Sequence, residues 1–141
     1  MLIGALLVIA GAIYAVLGVL HAVFTLIDER RPRRLVPDDP AVMAGMQASK
    51  VRLSRGATTM WQAWISFNLT HSLAAIMFGV GCIVVAAWFG AVVFPVWVPF
   101  LLAGVSLVFM VIGLRYWFGV PRAGTITATV CLLAAAGLYA L

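Results

Sequence analysis

Long stretches without a charged side chain are the feature that most constrains this sequence. Eleven of its thirteen charged residues lie between Asp28 and Arg55, and the other two are Arg115 and Arg122. Only 9% of the residues are charged, whereas soluble domains carry roughly 25%. This pattern excludes a soluble enzyme, a disordered tail and a disulfide-stapled secreted domain. It predicts an all-α polytopic membrane protein.

The uncharged stretches divide into four predicted transmembrane helices. Residues 56–114 are too many for one span, and Gly90, Pro95 and Pro99 mark a break between two. Pro121 suits the first turn of a last helix, where a missing N–H costs little. The predicted spans are residues 2–27, 61–89, 96–118 and 121–141. We therefore expect residues 1–141 to form one four-helix transmembrane bundle.

The basic residues predict the orientation of these spans. The loop of residues 28–59 holds seven of the nine Lys and Arg side chains, and the third connection holds the other two. The positive-inside rule assigns both connections to the cytoplasm and both termini to the outside. A net charge of +5 is ordinary for such a protein. We do not expect it to bind nucleic acid, because it lacks a soluble basic face.

The long first loop predicts a short interfacial helix. Asp39 and Pro40 form an N-cap and first-turn pair, and apolar residues recur at helical spacing after them. These residues are Val42, Met43, Met46 and Leu53, with Lys50, Arg52 and Arg55 expected on the polar side. Such a helix would lie on anionic lipid head groups, which we expect to contact Arg30, Arg31, Arg33, Arg34, Lys50, Arg52 and Arg55. The alternative is a solvated loop whose charges only fix the topology.

Metal binding in this loop is a weaker interpretation. Asp38 and Asp39 are adjacent acids without further oxygen ligands in the pattern, so helix capping explains them better, and we predict no metal site.

Polar side chains inside the spans are the candidates for function, because they are costly there and usually face the bundle interior. Tyr14, Gly18, His21, Thr25 and Asp28 follow one stripe of the first helix. Trp61, Trp64, Asn68, His71 or Ser72, Ala75 and Gly79 follow one face of the second. From the helical rise, His21, Asn68 and His71 lie at similar depths. We expect them to approach one another, with Tyr14 or Thr25 nearby.

Three interpretations of this cluster remain open. The side chains could simply hydrogen bond between helices. They could bind a haem or another metal through the two histidines, although the haem interpretation rests on a nonspecific pair. They could also form a polar pocket for a lipid, a quinone or a proton path. The candidate pocket comprises Tyr14, His21, Thr25, Asn68, His71 and Ser72.

Small residues predict close helix packing. Gly4, Gly11 and Gly18 repeat along the first helix, and Ala75 and Gly79 give the second a small face. Whether the partner helix belongs to this chain or to another is left open by the sequence.

The run from Trp61 to Ser72 (WQAWISFNLTHS), after a first span that contains His21 to Thr25 (HAVFT), resembles small uncharacterised bacterial four-helix integral membrane proteins. The resemblance covers the first two helices best. It implies the fold and a place in the bacterial inner membrane, and it implies no activity.

We expect a non-enzymatic accessory or assembly subunit of a larger membrane complex, or a self-associating bundle. The alternative is a membrane oxidoreductase or a lipid- or quinone-binding enzyme that uses His21, Asn68 and His71. The expected partners are membrane lipids and other membrane subunits or further copies of the chain.

Overall fold

The computed structural model describes residues 1–88 and 94–141. Its helices in chain order are α1 (Leu2–Arg30), α2 (Pro40–Ala48), a short 3-10 helix (Arg52–Ser54), α3 (Met60–Trp88), α4 (Trp97–Tyr116) and α5 (Gly119–Tyr139). Within the described residues, α1, α3, α4 and α5 are long and apolar enough to cross a membrane. The predicted all-α fold with four spans is confirmed.

The helix ends differ from the predicted ones by a few residues. α1 continues past residue 27 to Arg30, and α5 begins at Gly119 instead of Pro121. Pro121 still lies in the first turn of α5, where its missing N–H leaves no helical bond unmade. α4 stops at Tyr116, before the predicted 118, because Trp117 adopts an extended backbone. The predicted end of the second span at Phe89, and the turn at Gly90, lie outside the described residues.

Two compact units divide the chain. We call them the bundle unit (residues 1–17 and 75–141) and the loop unit (residues 18–74). In the bundle unit, α1, α3, α4 and α5 contribute to one core of mainly small side chains. The buried residues of this core are Leu7, Ala10, Tyr14, Ala75, Cys82, Ala103, Ala128, Leu132, Ala135 and Ala136. Small side chains let helix backbones approach closely in a membrane, where packing drives association.

Gly11 of α1 and Gly79 of α3 mark a close approach of two helices in the bundle unit. A Cβ built on Gly11 would lie 2.6 Å from the carbonyl oxygen of Gly79, and one built on Gly79 would lie 2.6 Å from the backbone nitrogen of Ala15. Neither position therefore has space for a side chain. The small faces predicted on the first two spans meet each other here. The partner of each face is therefore a helix of the same chain.

The loop unit contains the predicted short helix, in a shorter form. The Asp39 side chain accepts a hydrogen bond from the backbone N–H of Ala41 at 2.8 Å, and Pro40 begins α2. Both parts of the predicted cap are confirmed. The helix ends at Ala48, where the backbone N–H of Ser49 bonds to the carbonyl of Gly45.

The predicted face of this helix is wrong beyond Ala48. Leu53 lies in the 3-10 helix and is 95% exposed. Lys50 forms an antiparallel bridge with Thr59, which draws the chain into a tight turn instead of another helical turn. Arg55 and Gly56 take positive φ angles in that turn. Lys50, Arg52 and Arg55 therefore do not decorate α2, which itself carries no charged residue.

Candidate functional site

His21 and Asn68 form the centre of the polar cluster in the loop unit. The Nε2 atom of His21 lies 2.9 Å from the Oδ1 atom of Asn68. Asn68 is 8% exposed, so the bond is largely shielded from the surroundings. The spacing and depth of these residues in the sequence predicted their approach, and the structure brings them together.

The neighbouring contact of Asn68 fixes the direction of this hydrogen bond. The Nδ2 atom of Asn68 donates to the carbonyl oxygen of Trp64 at 2.8 Å. Because a carbonyl can only accept, the amide must place Oδ1 toward His21. Nε2 of His21 therefore carries the proton, and in the neutral imidazole the lone pair resides on Nδ1. A metal ion at Nε2 would have to displace Asn68.

His71 lies next to His21 in the same cluster. The two ring centres are 5.6 Å apart and the ring planes meet at 80°, an edge-to-face contact. Both rings are partly buried.

Thr25 and Ser72 accompany the cluster without bonding to its side chains in the contacts observed. The Thr25 hydroxyl donates to the carbonyl of His21, and the Ser72 hydroxyl donates to the carbonyl of Asn68, both at 2.8 Å. Both residues are 1% exposed, and the hydroxyl of each is hydrogen bonded within its own helix. Among the described residues, no buried side-chain nitrogen or oxygen lacks a hydrogen-bond partner.

Tyr14, the remaining predicted pocket residue, belongs to a different network in the bundle unit. Its hydroxyl lies 2.8 Å from Oγ of Ser106, and Ser106 Oγ lies 2.8 Å from Oγ1 of Thr129. The Tyr14 ring packs edge to face on Phe78 at 4.8 Å. Ser106 and Thr129 were missed by the sequence analysis, although a buried hydroxyl in an apolar span is itself a signal.

Trp64 departs from the predicted face of α3. The buried positions of that helix follow Trp61, Ile65, Asn68 and Ser72, whereas Trp64 is 41% exposed. Its indole Nε1–H donates to the carbonyl oxygen of Leu35 at 2.9 Å. Trp64 therefore fastens the first loop to α3 instead of lining the helix interface.

Asp28 is the polar residue whose role the sequence analysis missed. It lies on the predicted stripe of α1 and is 1% exposed. Its carboxylate accepts backbone N–H bonds from Arg33 at 3.0 Å, from Arg34 at 3.2 Å and from Leu35 at 2.6 Å. Bonds from N–H groups to a carboxylate are stronger than neutral ones. Asp28 thus folds the segment after α1 back on the helix end.

The arginines around this turn are exposed. They are Arg30, Arg31, Arg33 and Arg34. Asp28 binds the backbone N–H groups of Arg33 and Arg34 and leaves these side chains exposed. The Arg34 guanidinium carbon lies 4.5 Å from the centre of the Phe24 ring. This cation–π contact holds the Arg34 guanidinium near the end of α1.

Metal binding by several ligands has no basis in the described part of the chain. Within residues 1–88 and 94–141, no group of three or more His, Cys, Asp and Glu side chains is placed to hold a metal ion. The histidine pair remains the one arrangement above that could offer ring nitrogens to a cofactor. Comparison with protein-family models, curated proteins and solved structures finds no match for this chain.

Proposed function

We propose that this protein is a non-enzymatic integral membrane protein that packs against other transmembrane helices. It acts as an accessory or assembly subunit of a larger membrane complex, or it associates with further copies of itself. The outer face of α5 is the observation that carries this proposal.

That face exposes four small side chains and one valine along one line of the helix. α5 is the least apolar of the four candidate spans. Its exposed positions at helical spacing are Ala123, Thr127, Val130, Ala134 and Gly137. A Cβ built on Gly137 meets no atom within 4 Å among the described residues. Lipid chains fill such a shallow face poorly, whereas a second helix can approach its backbone closely.

We also propose the membrane and the orientation. The basic segment of residues 30–34 is exposed and is held at the end of α1 by Asp28. Cytoplasmic placement of this segment satisfies the positive-inside rule and leaves both termini outside, in the bacterial inner membrane. The basic loop then lies beside lipid phosphates, where Arg30, Arg31, Arg33, Arg34, Lys50, Arg52 and Arg55 contact anionic head groups.

Paired substitutions on two helices test the association. Gly137→Leu adds a large side chain to the proposed face, and Gly104→Leu adds the same side chain to an exposed glycine of α4 that also has open space. We expect Gly137→Leu to reduce the fraction of associated protein in native membranes at least about tenfold, because one blocked contact removes the close backbone approach. Gly104→Leu should leave it unchanged. Equal behaviour of both variants, or a wild-type chain that is monomeric throughout, refutes the proposal.

A second candidate function rests on the histidine pair. His21 and His71 bring two imidazoles within 5.6 Å on α1 and α3, and Asn68 orients the first of them. This arrangement supports a membrane oxidoreductase or an enzyme that binds a quinone or lipid, with haem as one possible cofactor.

The purified protein distinguishes this candidate from the first. A visible absorption band of haem that is lost in His71→Ala would support the oxidoreductase. A colourless preparation that contains no quinone or lipid bound near His21 would refute it and leave the association of α5 untouched.

A further inference from the structure

An open cleft of the loop unit lies between residues 34–37, α2 and α3. It has a volume of about 320 Å³ and is lined by Arg34, Leu35, Val36, Pro37, Met46 and Trp64. Arg34 is the only charged residue of this set. One cationic group beside apolar walls suits an amphiphile better than a free inorganic anion, because an ion would gain nothing from the apolar side.

The walls of the cleft are fixed by contacts that leave its arginine exposed. The Trp64 indole donates to the Leu35 carbonyl at 2.9 Å, which ties the loop to α3. The Asp28 carboxylate binds the backbone N–H groups of Arg34 and Leu35. The Arg34 guanidinium is held over the Phe24 ring and remains accessible. A ligand therefore meets a largely preformed site and orders few side chains on binding.

We propose that this cleft binds one anionic phospholipid. The lipid phosphate pairs with the guanidinium of Arg34, whose planar fork matches phosphate oxygens. The first part of an acyl chain lies along Leu35, Met46 and Trp64. The volume is at the low end for ligand pockets, so it holds the head group and the chain segment next to it while the rest stays in the bilayer.

The neighbouring charges favour an anionic lipid over a zwitterionic one. Arg30, Arg31 and Arg33 are exposed, and three of the four charged residues within four positions of Arg34 are therefore positive. These arginines repel the choline group of zwitterionic phosphatidylcholine. The head group of anionic phosphatidylglycerol carries no positive charge. This inference rests on the proposed placement of the first loop at the membrane surface.

Fluorescence quenching in nanodiscs tests the site. Single copies of the protein are placed in nanodiscs of equal phosphatidylglycerol and phosphatidylcholine, with bromine on the chains of only one lipid at a time. The surface charge is then identical in both samples. The signal of Trp64 is the difference between the wild-type chain and Trp64→Phe. We expect brominated phosphatidylglycerol to quench this signal more strongly. Equal quenching by the two lipids overturns the proposal.

Two charge-matched variants separate a site from diffuse attraction. Arg34→Gln removes the proposed phosphate ligand, and Arg52→Gln removes an exposed charge of the same loop that does not line the cleft. We expect Arg34→Gln to reduce the preference for phosphatidylglycerol about tenfold, as for a lost charged hydrogen bond. Arg52→Gln should change it less than about twofold. Equal losses in both variants show diffuse attraction alone and overturn the site.

This measurement is independent of the proposed association of α5. A nanodisc with one copy contains no second transmembrane chain, so lipid preference is read without any association of α5. Both leaflets have the same composition, so the result does not depend on orientation. Loss of lipid preference leaves the α5 proposal standing, and a monomeric protein in membranes leaves the lipid site standing.

Discussion

His21 of α1 donates its Nε2–H to the Oδ1 atom of Asn68 of α3 across 2.9 Å. Asn68 also donates to the Trp64 carbonyl of its own helix, so both the oxygen and the nitrogen of its side-chain amide are hydrogen bonded. A hydrogen bond between membrane helices contributes about 0.6 kcal/mol on average. The pair therefore joins α1 and α3 within the loop unit, whatever further role the histidines have.

Asn68→Leu should weaken the fold measurably. The substitution removes both hydrogen bonds of the amide and leaves the His21 N–H without its acceptor. We expect the free energy of unfolding to fall by about 1–2 kcal/mol, from two lost bonds and one unsatisfied donor. Unfolding in mixed micelles measures this change.

Thr70→Val is the matched control on the same helix. The Thr70 hydroxyl is exposed and donates to the carbonyls of Ser66 and Phe67. Its removal should change stability by less than about 0.5 kcal/mol, as for most surface substitutions. A loss as large as that of Asn68→Leu would show that the His21 contact adds nothing.

Asp28→Ala should loosen the segment after α1. The carboxylate accepts the backbone N–H groups of Arg33, Arg34 and Leu35, and no alanine atom can replace it. Trypsin should then cut among residues 30–34 at least about tenfold faster, since each lost charged bond is worth about 1.5–3 kcal/mol. The rate of cleavage in membranes or micelles measures the opening.

Glu29→Ala provides the comparison for Asp28→Ala. Glu29 is the next acid in the chain and is exposed. Its substitution by alanine removes the same charge as Asp28→Ala. Its cleavage rate should match that of the wild-type chain. Equal acceleration by both variants would mean that charge near the arginines controls cleavage, and that the hydrogen bonds to Asp28 do not order this segment.

Gly79→Ala should destabilise the bundle unit. Its new Cβ would lie 2.6 Å from the backbone nitrogen of Ala15, and backbone atoms cannot turn away as a side chain can. Overpacking of this kind costs about 1–3 kcal/mol. Gly81→Ala, two residues further along α3, meets no atom within 4 Å among the described residues and should not destabilise. Similar stability of the two variants would contradict the close crossing.

The helical pattern predicted the part of the site that depends on spacing alone. The approach of His21, Asn68 and His71 could be predicted, because the depth of a residue in a span follows from the rise of a helix. The Asp39 cap could likewise be predicted, since its acceptor, the N–H of Ala41, lies two residues away. These contacts need only local geometry or the pairing of consecutive spans.

The features that were missed depend on contacts distant in sequence or on loop conformation. Tyr14 shares its helix with His21, but it lies two turns away, and its hydroxyl forms a hydrogen bond with Ser106 on α4. The end of α2 depends on the bridge between Lys50 and Thr59. The partners of Asp28 are backbone groups, which carry no side-chain signal in a sequence.

Cross-linking in native membranes, from a photoreactive group attached to a single cysteine, is the most direct measurement of the central claim, that α5 packs against another transmembrane helix. One chain carries Ala134→Cys on the outer face of α5, and a second carries Gly104→Cys on the exposed side of α4; both have Cys82→Ala and Cys131→Ala. We predict that the cysteine at position 134 forms a cross-linked species of defined mass, either a dimer or a complex with one other polypeptide. The cysteine at position 104 should form none. Equal cross-linking at both positions, or none at position 134, would contradict the account.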